Sequence, residues 1–116
     1  MAAAGSHADI EVLEEPAARA LTTPMTVMDD VGMVRDADGM FEVTTDSGRE
    51  YIVDLEAPSG ARCLCHDHKY CQRDCKHIWR CRFETGEEPI PAWVDPDDVD
   101  DQLGAHVTAG EPRWSQ

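Results

Sequence analysis

Hydrophobic positions in this chain follow a helical spacing at first, then a period of two, then a helical spacing again. Ile10, Leu13, Ala17, Ala18 and Leu21 recur at helix-like intervals, with Glu11, Glu14 and Glu15 opposed to them. Pro16 interrupts that run, so the expected helix is short and starts near Glu15 or Pro16, where a proline is tolerated in the first turn. The other reading of this segment is a loosely packed acidic arm. From Met25 the pattern alternates. Met25–Met28 and Met33–Arg35 are short strand candidates, and Asp36-Ala37-Asp38-Gly39 is a turn with glycine placed to accept positive φ. Met40–Thr45 and Arg49–Leu55 also alternate, with Phe41 and Val43 on one face and Tyr51, Val53 and Leu55 on another, joined by an Asp46-Ser47-Gly48 hairpin loop.

Helical spacing returns at Cys75–Thr85, with Gly86 in the position of a stop. Trp79 and Phe83, four apart, are expected to pack together against the hairpin, leaving Lys76 and Arg80 on the opposite, exposed side. Pro89-Ile90-Pro91-Ala92-Trp93 reads as a stiff extended segment anchored by Trp93. Asp95-Pro96-Asp97-Asp98 carries the signals of a helix start, predicting a helix through Val99 and Leu103 to Gly104. Ala105–Gln116 is expected to be irregular, with Trp114 either a second anchor or exposed. The pattern gives an α+β fold: a small antiparallel β-meander with one packed α-helix, plus short helices towards the termini. Three segments result, an acidic, partly helical or disordered arm over residues 1–22, a central domain over 23–91, and a C-terminal extension over 92–116.

The candidate chemistry lies in Ala61–Cys81. Cys63-Leu64-Cys65 and Cys75-Lys76-His77 form two tight ligand pairs separated by nine residues, the second at the mouth of the predicted helix. Three thiolates and one imidazole make a closed tetrahedral set of the kind that holds structural Zn²⁺, and they disfavour the oxygen-seeking Ca²⁺ and Mg²⁺. Cys71 lies close enough in sequence to replace Cys65 or Cys75, or to take the ion transiently. His66 and His68 flank the first pair, and Cys81, one turn beyond His77, is expected in the helix interface.

These residues resemble the SWIM zinc finger family, whose signature is Cys-x-Cys, a variable spacer and Cys-x-His. The match is met at Cys63, Cys65, Cys75 and His77, and Glu50-Tyr51-Ile52-Val53-Asp54 looks like the strand that precedes the first pair in that family. The resemblance implies a β-hairpin, a zinc knuckle and a helix, as in the family's small stand-alone prokaryotic members, and a role in binding DNA or other proteins.

Composition sharpens the expectation. Only two Phe, two Tyr and three Trp are present in 116 residues, so apolar burial leaves a marginal core and metal is expected to complete the fold. The net charge of −14 rests on 24 acidic and 10 basic residues, dispersed through nearly every segment with only two lysines. Such an excess fits a disordered solvating chain, an acidic mimic of nucleic acid, or adaptation to concentrated salt; dispersion and lysine scarcity favour a halophilic protein. No secretory signal or membrane-spanning run is visible, and an odd number of cysteines suits a metal site in a reducing cytoplasm.

Charge also marks a partner. Arg62, Lys69, Arg73, Lys76, Arg80 and Arg82 gather six of the ten basic residues into the candidate finger. Arg73, Lys76 and Arg80 are therefore candidate DNA contacts. The alternative is a protein-interaction adaptor using the same finger or the acidic C-terminal helix, and a third reading is redox or metal buffering through Cys71. Above about 1 M salt the Debye length falls to about 3 Å, which weakens any long-range attraction to phosphates. A closed four-ligand site leaves no position for activated water, so no enzymatic activity is expected.

Overall fold

Backbone alternation sets the centre of the molecule. The computed structural model describes residues 15–65 and 74–115. Strands β1 (Met25–Met28), β2 (Met40–Thr45), β3 (Glu50–Asp54) and β4 (Arg62–Cys63) form an antiparallel meander in sequence order. Phe41 lies opposite Val53 and Val43 opposite Tyr51. Residues directly opposite in an antiparallel pair share a face. The two apolar rows expected on different faces therefore form one surface, completed by Val27 opposite Val43 and Cys63 opposite Val53.

Helix α1 (Glu15–Thr22) precedes the sheet, and α2 (Lys76–Thr85) follows it. Cys75, Ile78 and Cys81 of the α2 segment join Met25, Val27, Phe41, Val43 and Val53 in a buried core, with Tyr51 packed against it. Cys81 is thus in the helix–sheet interface, as the sequence pattern indicates. Gly86 ends α2 in the left-handed region at φ 81°, and a side chain there would collide with the carbonyl of Glu111.

The opposite side of α2 is also covered. Phe83 is fully buried with Ala17, Ala20 and Leu21 of α1 and with Ile90, while Trp79, Val94 and Leu103 close around them. Trp79 and Phe83 do stack, with centroids 6.1 Å apart, but against α1 and the C-terminal segment rather than the hairpin. The expected arm and extension thus supply the second wall of the core.

Arg80 stands where these parts meet, with its side chain wholly excluded from solvent. Its Nε donates to Glu84 at 2.8 Å, its Nη1 to the carbonyls of Ala20 and Thr23, and its Nη2 to the Met25 carbonyl and, at 2.6 Å, to Asp100. Two of these carbonyls lie at the end of α1, whose last carbonyls lack intrahelical partners and carry the negative end of the helix dipole. The guanidinium's five N–H groups match five acceptors. Asp100 also accepts from the Met25 amide, and Glu84 from the Gly104 amide.

Three further expectations are corrected. Met33–Arg35 is no strand: Gly32–Val34 is a 3₁₀ turn bracketed by Asp30 and Asp36 at positive φ, a conformation that breaks extended pairing. It buries Val34 and leaves Met33 exposed. The helix expected through Leu103 is only a 3₁₀ turn, Pro96–Asp98. Asp95 caps it as its sequence indicates, but Val99 is extended, and the chain turns so that Asp100 reaches Arg80 while its amide donates to the Leu21 carbonyl. Trp93 is 48% exposed, and the anchor of its segment is Ile90, fully buried and bridged to Trp114, which is itself 39% exposed. Among the described residues no helix is long and apolar enough to cross a membrane.

Candidate metal centre

Strand alternation and a helix start bring the two ligand pairs together. Cys63 ends β4 opposite Val53, so its side chain points into the core, and the next inward position is Cys65. Both cysteines are 3% exposed, whereas the intervening Leu64 is 70% exposed. Cys75 occupies the cap position of α2 with extended backbone, and His77 lies in the first turn. A single intervening residue thus serves both pairs for different reasons, a pleat in one and a cap-to-helix transition in the other.

The donor atoms of Cys63, Cys65, Cys75 and His77 all lie within 4.8 Å of one another, and all four residues are buried. His77 presents Nδ1, at 3.7 Å from the sulfurs of both Cys63 and Cys75. A tetrahedral Zn²⁺ with bonds of about 2.3 Å to sulfur would hold neighbouring sulfurs about 3.8 Å apart. The spacing and the soft donor set therefore fit such an ion, and four protein donors would leave a tetrahedral metal no position for a carboxylate or water.

Crowding among the thiols makes ionisation of Cys63 and Cys75 unfavourable without a cation among them. Hydrogen bonds with Cys65 and then Cys75, followed by burial, push the Cys63 thiol far above the ordinary range. Cys75 is pushed up to about 11; its bond with Cys63 pulls it down, but its bond with Cys65 and its burial outweigh that. A bound cation inverts this balance, because a coordinated thiol is deprotonated outright. Cys81 is also raised, chiefly by burial. With its sulfur outside the cluster, it is a core residue.

The proposed nucleic-acid contacts fare differently. Arg80 is a correction: the interior network around Glu84 and Asp100 consumes all of its donors, so it has no surface to offer a phosphate. Lys76, in the first turn of α2, is partly exposed, and Arg62 is exposed on β4 opposite Asp54. Arg82 pairs with Asp74 at 2.8 Å and lies over the Trp79 ring at 5.0 Å. Arg73, Lys69, Cys71, His66 and His68 lie outside the described residues.

Two features have little sequence signal. Tyr51 stacks on His77, with ring centroids 4.4 Å apart and planes at 26°, a contact that depends on strand register. The Arg80 network is half visible, since Arg80 and Glu84 stand four apart, but nothing local marks Asp100 as their third member. No family model, curated protein or solved structure matches this chain.

Proposed function

We propose that this chain is a SWIM-type zinc-binding module whose ion is structural, and that the surface around its metal knuckle recognises a protein partner. The convergence of Cys63, Cys65, Cys75 and His77 carries the reading, because four buried donors satisfy a tetrahedral ion and leave no coordination position for substrate. Zinc then ties β4 to α2 across the sheet. The thiolate set suits a reducing cell interior, and the dispersed acids suit high salt.

Protein is preferred to DNA because of where the charges fall. Arg80 is withdrawn into the interior and Arg82 is engaged with Asp74, while exposed Leu64 borders a shallow pocket with Met40, Ile52, Asp54 and Arg62 on the outer sheet face. Apolar side chains held on a rigid knuckle suit a protein contact better than a phosphate backbone. The DNA alternative retains Lys76, and a gel shift by zinc-loaded protein that is abolished by Lys76→Glu would restore it.

Metal content of the purified protein, alone and as single Cys→Ser variants, tests the central reading. One zinc per chain is expected for the native protein, with loss of that zinc in Cys63→Ser and Cys75→Ser. Native protein without bound metal after purification in zinc-containing medium, or a Cys63→Ser variant with undiminished affinity, would overturn it.

A further inference from the structure

A ligating imidazole needs something to hold its ring, and in protein metal sites this is ordinarily a hydrogen bond from the second ring nitrogen to a carboxylate, carbonyl or water. His77 directs Nδ1 to the sulfurs, and its Nε2 is buried with no hydrogen-bond partner among the described residues. The close neighbour of the ring is instead Tyr51, stacked on it at 4.4 Å and 26°. Tyr51 is itself fixed: it lies within β3 opposite Val43 and packs against the core that contains Cys63, Cys65 and Cys75.

We propose that Tyr51 is a positioning residue of the metal centre, its phenol ring holding the His77 imidazole in the plane that aims Nδ1 at the ion. This rests on the reading of the four-residue cluster as a metal centre. The stack does more than pack. An imidazole coordinated to a divalent cation becomes electron-poor, and the electron-rich face of a phenol attracts it more strongly than it attracts the free ring. The contact therefore favours the loaded state over the empty one. The attraction is to the ring face and not to the hydroxyl, so phenylalanine should substitute.

The test uses the full-length chain loaded with Co²⁺, whose visible absorption reports ligand geometry, together with Zn²⁺ affinity measured against a chromophoric chelator. Tyr51→Phe is expected to retain the native spectrum, with an affinity within about two-fold of native. Tyr51→Leu is expected to weaken Zn²⁺ binding by about 10–100-fold, the usual consequence of losing a group that orients a ligand, and to shift the Co²⁺ bands. Val43→Ala, which removes packing from the strand position opposite, controls for a purely structural effect and should lower the melting temperature with the bands unmoved. A Tyr51→Leu spectrum identical to native, with an affinity loss no greater than that of Val43→Ala, would overturn the proposal. If Tyr51→Leu does not fold, Tyr51→Met keeps bulk without a ring, and native spectrum and affinity in that variant overturn it equally. Failure of the native protein itself to take up Co²⁺ or Zn²⁺ is a separate result that removes the metal reading and this proposal with it.

Discussion

Helix α2 carries two clusters suited to positive charge, one at its start and one a turn further on. At its start, Cys75 and His77 join Cys63 and Cys65 in a set of soft donors that could hold a cation, with the Cys63 and Cys75 thiols pushed above their ordinary range. One turn further on, the cation belongs to the chain: Arg80 lies between Glu84 and Asp100 and draws the end of α1 and the start of β1 onto the helix. With an ion bound as proposed, the first place would make folding depend on metal supply. The second is complete from the sequence alone, but only when residues distant along the chain are already in position.

Metal removal should give the largest difference between the two. Stripping zinc with a strong chelator, or substituting Cys63→Ser, is expected to cost on the order of 10 kcal/mol of apparent stability and to abolish the near-UV circular dichroism of the aromatic residues. A near-UV signal that survives chelation would show that the Arg80 end holds the fold without the ion. Next comes Arg80→Met, which leaves Glu84 and Asp100 buried without a counter-charge. Urea titration of the zinc-loaded protein should report a loss of about 3–5 kcal/mol. Zinc stoichiometry should stay at one, and its loss would mean that the two places are not separable.

Glu84 gives a smaller and more discriminating effect. Burial raises its carboxyl above the usual 4.5, against the opposing pull of Arg80. A raised carboxyl means that the folded chain holds the proton more tightly, so this contribution is full below pH 4.5 and is lost as pH rises through the folded value. Glu84→Gln keeps an oxygen for Arg80 and leaves Asp100 as its counter-charge, so it should cost less than Arg80→Met, about 1.5–3 kcal/mol at neutral pH. Its stability difference from native, followed by thermal melts, should change in favour of the variant as pH rises; the opposite slope would refute the assignment. Smallest is Arg82→Ala. Its pairs with Asp74 and Glu87 are partly exposed, and a cost of about 0.5 kcal/mol in the same melts is expected.

The same contrast explains what could be read in the sequence. The Cys/His cluster is local twice over, two pairs of donors each separated by one residue, so residue type and spacing identify it before the fold is known. The strands Met25–Met28 and Met40–Thr45 are legible for a similar reason, since a period of two is a property of neighbours. The burial of Arg80 is not legible, although its spacing to Glu84 is. A charged residue four after a lysine ordinarily marks a solvent face, and its burial depends on Asp100 and on α1, both of which meet it only through the tertiary fold. The shortened C-terminal helix has the same cause: Asp95 and Pro96 signal a start, but the demand on Asp100 ends it. Strand register, likewise, places Tyr51 and Val43 on one face and so brings a tyrosine onto His77.

The alternation at Cys63, Leu64 and Cys65 makes the knuckle two-sided, with sulfur facing inward and one aliphatic side chain facing outward. The outward position is thereby chemically uncoupled from the donors while being clamped on both sides by them. Changes at Leu64 would alter the outer surface and leave the inward donor set intact, so any partner recognised there could diverge without risk to the fold. For the same reason, a fluorophore attached at residue 64 would sit on a fixed mount and report whatever docks there.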